Sequence, residues 1–439
     1  MRLKRGVNII TNFFCAAVVL GLLNPIPLFG QLGTTATDSY ASKTPLDTIG
    51  APVDDSFFEQ KYLTGDWWGG RSFLEEKGVN FDLRYSSTYQ GLIQGTGEKK
   101  FAYGGKVNAL INLETDKMHL WKGGGFNVHL EYRHGAAQSN LGGTLFAVNT
   151  AVFLPSDSPN EWVASTLTYT QKIGNGHQIR LGKFNPIDIY ARHSFHGGWG
   201  VDRFMNIIMV APPSGLIPVV FMGGLVSINL APVTLTAVVF DPNDRTKDYF
   251  PGDLFKDGVN FGINVTRVAK LAGRATSYGI TGFYSTAEGT DFSTLGGGVV
   301  NTSTETGAFN INVQFKHNLQ ESTAYPGAAW GITFKGAIAD GNPNYVQASL
   351  LAGIAGNPLF IGRPQDNFGI GFFYYNLSDV LEDSFNPLVS ITNESGLEMF
   401  YTYSITPWLY LGADVQYINP FRERFNNAFI GGLRTQIRL

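Results

Sequence analysis

Beginning at Val79, twelve residues alternate without interruption between two kinds of side chain. Val79, Phe81, Leu83, Tyr85 and Tyr89 fall on one parity, and Asn80, Asp82, Arg84, Ser86, Thr88 and Gln90 on the other. Side chains switch faces at every strand residue, so this segment has one apolar and one strongly polar face. The pattern recurs to the last residue. Fifteen further segments carry it: 102–114, 126–134, 162–171, 177–183, 219–230, 233–240, 259–266, 277–284, 309–316, 330–338, 346–354, 368–375, 397–405, 409–418 and 429–439. Strands of about ten residues, each half greasy and half wet, suit a closed sheet with lipid outside and water inside.

The spacing supports closure. About 360 residues follow Val79, roughly 23 for each strand with its connection, which leaves short turns on one rim and long loops on the other. The fold class is therefore all-β: a transmembrane antiparallel β-barrel of about 16 strands, with a short N-terminal helix over Arg71–Lys77 that Gly78 terminates. A soluble sandwich or propeller also alternates, but its strands average five or six residues. Charged residues are only 15% of the chain against about 25% in typical soluble domains. No apolar run of 18 residues follows residue 30, so helices are not the means of spanning.

Residues 1–30 read as a secretory signal: Arg2, Lys4 and Arg5, then an apolar run from Val7 to Leu23, then Pro25 and Pro27, with cleavage expected after Gly30. The competing reading, an uncleaved anchor, is weakened by Asn8, Thr11 and Asn12 within the run. Removing three cations and no acids takes the net charge from −3 to −6, a mild value with no nucleic-acid signature. The sole cysteine, Cys15, leaves with the signal, which excludes disulfides and thiolate metal sites. Residues 31–64 are polar and without period, and read as an extended segment ahead of one domain, 65–439.

Three stretches carry a family resemblance. Gly65-Asp66-Trp67-Trp68-Gly69-Gly70-Arg71, followed by Leu74 and Gly78, resembles the N-terminal signature of the carbohydrate-selective porins of the OprB type. Arg180-Leu181-Gly182-Lys183-Phe184-Asn185-Pro186 and Ala211-Pro212-Pro213-Ser214-Gly215 resemble later stretches of the same family, in the same order. The family motif maps onto Asp66, Trp67, Trp68, Gly69 and Arg71. The resemblance implies a sixteen-stranded outer-membrane porin that passes sugars passively, with some preference for monosaccharides such as glucose. One departure stands out: such barrels usually end in an aromatic residue, and this chain ends in Leu439.

The alternation aims Asp82, Arg84, Lys106, Glu131, Arg133, Arg180, Lys316, Lys335, Glu398, Asp414, Arg434 and Arg438 into the lumen. Such a lining of mixed sign suits neutral polyols, whose hydroxyls exchange water for charged partners. The candidate pore-lining set is Arg84, Lys106, His129, Glu131, Arg133 and Arg180. The same residues also fit a plainer role, ion pairs that brace the wall. Lys183 shares the parity of Leu181 and cannot be aimed. Trp67 and Trp68 either stack on sugar or anchor the helix at the membrane interface. His193 and His196 lack the companions of a metal site, Gly296–Gly298 opens no phosphate loop, and Asp241-Pro242-Asn243-Asp244 reads as a turn. No metal or cofactor is expected. The partners expected are sugars and outer-membrane lipids, with the chain as monomer or trimer. Two other functions stay open, a non-selective porin and an outer-membrane barrel enzyme, although no G-x-S-x-G is present. A loop folded inward, such as Gly135–Asn160, is a candidate for the constriction.

Overall fold

The computed structural model describes residues 56–135, 141–155, 159–190, 193, 195–211, 216–295, 303–386 and 389–439. The signal, most of the 31–64 segment, the Pro212–Gly215 part of the third resemblance and Gly296–Gly298 lie outside them. Sixteen strands close into one antiparallel barrel. They are β1 Val79–Gln94, β2 Phe101–Glu114, β3 Gly124–Gly135, β4 Trp162–Ile173, β5 His177–Phe184 and β6 Phe221–Leu230. Next come β7 Val233–Phe240, β8 Asn260–Leu271, β9 Arg274–Ser285, β10 Phe309–Glu321 and β11 Ala329–Ala339. The last are β12 Val346–Gly356, β13 Asn367–Leu377, β14 Glu394–Thr406, β15 Leu409–Asn419 and β16 Ala428–Arg438. Each matches one alternating segment of the sequence. The largest offset at a start is three residues, at Arg274 and Glu394, and the segment read as 219–230 begins at Phe221.

Closure is made by β1 against β16, from Arg84 opposite Arg438 to Gln94 opposite Phe429. Every strand thereby has two hydrogen-bonded neighbours, which removes the edges that lipid could not satisfy. Connections alternate between the two rims. One rim carries turns such as Gly174–Gly176 and Ala231–Pro232, while the other carries the long loops 136–161, 185–220, 241–259 and 286–308. Outward residues such as Ile263, Ile280, Val313, Ile354, Ile370, Met399 and Leu433 are exposed and apolar. Aromatic groups gather at both rims, Tyr103 with His134 and Tyr132 with Trp162 on the long-loop side, Phe126 with Tyr169 and Phe360 with Phe368 on the other. This is the belt expected of a bilayer-spanning barrel. Among the described residues no helix is long and apolar enough to span a membrane.

The helix α1, Gly70–Glu76, sits at the short-turn rim. Asp66 fixes its start by accepting from the Ser72 amide (2.8 Å) and the Ser72 hydroxyl (2.7 Å). Arg71 then acts as a clasp on the barrel seam. Its guanidinium lies against the rings of Tyr62 and Trp67, 3.9 and 4.3 Å from their centroids, and donates to the carbonyls of Phe81 (2.9 Å) and Leu439 (3.0 Å). One side chain so ties β1 to the chain end beyond β16. Trp67 packs on Phe81, an outward residue of β1, which places its ring outside the barrel wall. Trp68 is fully exposed.

Candidate functional site

The lumen is not an open pipe. The segment 141–155 and the described parts of 185–220 fold inward and bond to each other: the Thr150 amide and hydroxyl both reach the Met205 carbonyl at 2.8 Å, and the Ile207 amide reaches Ala147 (3.0 Å). Three one-turn helices organise them, α2 Thr150–Phe153, α3 Pro186–Tyr190 and α4 Ile207–Val210. Asn149 and Asn206 cap α2 and α4 by accepting from the Val152 and Ile208 amides. Their apolar side chains make the interior cluster of the molecule: Val148, Phe195, Phe204, Ile207, Met209 and Ile217 are wholly buried. The sequence offers Gly135–Asn160, of which 136–140 and 156–158 lie outside the described residues, as a candidate constriction, and does not offer 185–220. Its legible signal is Phe204–Ala211, an apolar run that breaks the two-residue alternation.

The candidate residues face inward as the alternation requires, and these two segments cover them. Arg84, Lys106, His129, Glu131, Arg133 and Arg180 are each 1–6% exposed. Lys106 pairs with Glu131 (2.5 Å) and donates to the Leu154 carbonyl (2.8 Å). Arg133 donates to the carbonyls of Val152 (2.9 Å) and Phe153. His129 lies between Asp188 (2.8 Å) and Asn108 (3.0 Å). Arg84 is bonded to Asp82 and stands over the Trp199 ring at 5.3 Å, and Arg180 stands over Phe184. The wall charges thus hold loop backbone, where carbonyls arriving without partners would be costly to bury.

Asp188, at the centre of this arrangement, was absent from the candidate set. It accepts from His129, from the Thr166 hydroxyl (2.6 Å) and from the Trp199 indole (2.8 Å). Thr166 can reach it because β4 carries a bulge. Register shifts between His129 and Leu130, so Ser165 has no opposite residue and both Ser165 and Thr166 are buried. Asn185, next to the bulge, joins Glu131 (3.1 Å). On β14 and β16 Glu398 accepts from the Met205 and Asn206 amides, and Arg434 donates to the Arg203 carbonyl and to Thr402 (2.9 Å). Lys183 keeps the outward parity of Leu181 and is capped by the Thr246 and Asp248 carbonyls (2.7 and 3.0 Å) beneath the ring of Tyr249. His196 bonds to Thr333 (2.7 Å), and His193 Nδ1 accepts from the Phe195 and His196 amides. Among the described residues no three His, Cys, Asp or Glu side chains gather as metal ligands. Asp241 accepts from Asn243 and Arg245 in a turn.

A sequence model described as carbohydrate-selective porin, OprB family, matches residues 98–439. The chain belongs to that family. The match starts beyond Asp66–Arg71, so the clasp at the seam lies upstream of the matched span. Among solved structures, this OprB-family chain is similar to Pseudomonas putida OprB at high pH, with a TM-score of 0.76 and 19% identity over 88% of this chain and 100% of that one. The low-pH structure of the same protein gives a TM-score of 0.56 and 17% identity over 87% and 99%. At such identity the likeness concerns the fold. No match is found among curated protein sequences. Family and fold are those of a channel, and the protein is a sugar-selective outer-membrane porin.

Proposed function

We propose that the chain passes small sugars, monosaccharides such as glucose, passively through a lumen narrowed by 141–155 and 185–220. The observation that carries this reading is the chemistry of the wall those segments leave least covered. There, Ser277, Gln314, Ala337 and Ser349 face inward and are only partly buried, next to Thr281, Asn310 and Asn312. Hydroxyl and amide groups can replace the water around a neutral polyol one hydrogen bond at a time. Arg84, Lys106, His129, Glu131, Arg133 and Arg180 set the bore by clamping loop backbone, and reach the permeant through the segments they hold.

Residues 1–30 act as a cleaved signal for export to the outer membrane, and 31–64 precede the 65–439 barrel. A sheet closed on itself gives each copy its own pore, as monomer or within a trimer. Conduction needs no chemical step, and no catalytic residue is assigned. Liposome swelling with purified protein tests the reading: glucose should enter several times faster than a non-sugar solute of equal size. Equal rates would make the protein a general diffusion pore.

A further inference from the structure

Backbone strain holds two indoles at the short-turn rim. Trp67 and Trp68 both stand in the left-handed region, at φ 52° and 56°, which residues other than glycine rarely occupy. Gly69 continues the bend at φ 90° and leads into α1. Trp67 gains contacts in return: its ring meets Phe81 with centroids 6.1 Å apart, and its indole nitrogen donates to Thr64 (3.0 Å). Trp68 buries none of its surface against the described residues. In water that conformation would hold a bare indole against solvent, a cost in both strain and hydration.

The helix that follows is two-sided. At about 100° per residue, Phe73, Leu74 and Lys77 share one side of α1, and Ser72, Glu75 and Glu76 share the other. Phe73 is 58% exposed, with the Lys77 ammonium 5.7 Å from its ring centroid. The β2–β3 turn stands beside the helix. Lys117 donates to the Glu75 carbonyl (3.4 Å), and a β-carbon at Gly78 would meet Lys117 (2.9 Å) and Met118 (3.2 Å). That turn leaves Leu120 and Trp121 exposed, and Trp121 packs on Phe126 and Tyr169 of the outer wall. Apolar surface therefore continues from α1 across this turn onto the lipid-facing sheet.

The hairpin tips give the level of the bilayer at this rim. Ile173, Leu230 and Leu271 are the last residues of β4, β6 and β8 and are exposed, so hydrocarbon reaches the turns. Phe81, the third residue of β1, lies in the same band. We propose that Trp68 and the Phe73 side of α1 seat in the periplasmic leaflet of the outer membrane, with phospholipid as their cover. The short turns of such barrels face the periplasm, and an indole is favourably placed at headgroup level. Lys77 meets lipid phosphate there, while Glu75 and Glu76 stay in water. Arg71 already fixes the helix to the seam, so lipid contact does not have to order it. This seating is independent of what the lumen passes.

The test is tryptophan fluorescence of the purified exported protein in vesicles of phosphatidylethanolamine and phosphatidylglycerol, part of the lipid being brominated near the top of its acyl chains. The chain has seven tryptophans, and the difference between the wild type and Trp68→Phe isolates Trp68. That component should lose at least half its emission to brominated lipid and little to aqueous iodide present on both sides of the membrane. Phe73→Trp in the Trp68→Phe background should behave alike. Glu76→Trp in the same background should respond to iodide instead, with folding of each variant verified by heat-modifiable migration. A Trp68 component quenched by iodide and not by brominated lipid overturns the proposal, because the ring then stands in water. A component reached by neither quencher also overturns it, and assigns the cover to a second copy of the chain or to residues 31–55. Equal lipid quenching in Phe73→Trp and Glu76→Trp overturns the two-sided seating of α1.

Discussion

The two walls of this barrel do opposite jobs with opposite chemistry. From β14 through β16 and on to β5, the inward face carries Glu394, Glu398, Asp414, Arg434, Arg438, Asp82, Arg84, Lys106, His129, Glu131, Arg133 and Arg180, and infolded chain covers them. From β6 to β9 its inward charge is limited to Lys270 at the short-turn rim; Phe221, Leu225, Val238, Phe240 and Phe283 join the interior cluster, and most of its polar groups bond to one another. Ser227 meets Thr236 (2.9 Å), Thr266 meets Asn264 (2.9 Å), and Asn264 meets Thr281 (2.8 Å). A loop that enters a barrel brings backbone groups in need of strong partners, and charged side chains supply them. A wall that meets apolar side chains and its own polar neighbours needs no such charge. Charge in this lumen therefore marks where the protein holds itself.

The largest effect should come from the centre of the covered wall. Asp188→Ala removes the common acceptor of His129, Thr166 and Trp199. Breaking such a buried pair costs about 3–5 kcal/mol, so 185–220 should loosen and single-channel conductance should rise severalfold. An unchanged conductance would mean that the segment holds its place by apolar packing alone. The outer surface should not tell the walls apart. Val128→Arg on β3 and Ile280→Arg on β9 should each impair assembly by about 2–4 kcal/mol if near the bilayer midplane, read as the fraction of heat-modifiable protein. A marked difference between them would show that the infolded segments also protect their side from outside.

Arg71→Ala tests the seam. Losing two charge-assisted bonds of about 1.5–3 kcal/mol each before compensation by water should lower the temperature of heat modification without altering conductance. Asn312→Ala, on the β9–β12 side next to partly buried Gln314 and Ala337, removes one bond to Asn310 (3.1 Å). It should cost only about 0.5–1.5 kcal/mol and change glucose entry more than stability, a pattern the covered wall should not reproduce.

The smallest effect concerns the 286–308 loop. Asn342, Ser293 and Ser303 donate to Asp291 and hold its carboxyl at about 2. With the folded value depressed, the contact is fully present above the ordinary aspartate value of about 4 and is lost as the pH falls through about 2. Exchange of the Ser293 amide, corrected for intrinsic rate, should thus stay slow at pH 5 and accelerate near pH 2, and Asp291→Asn should abolish that dependence.

The sequence by itself determined the barrel. Sixteen alternating segments gave sixteen strands, because a two-residue period under lipid leaves no other face for Ile263 or Val313 to take. It also placed the helix at 70–76 within one residue, since Gly78 stops it. The resemblance marked Asp66 and Arg71 without saying why. That they cap a helix and clasp the seam depends on Leu439 arriving beside Arg71, a meeting of residues 368 positions apart that no local pattern encodes. Only the tertiary structure decided what the inward charges touch. Alternation reports which face a side chain is on, but whether that face meets water or a folded loop is fixed by where 141–155 and 185–220 come to rest. That depends on a bulge at Ser165, on Asp188 reaching three partners from β3, β4 and its own segment, and on Phe204 finding His196. These are long-range contacts without period, and the inward geometry that binds a permeant is made by them.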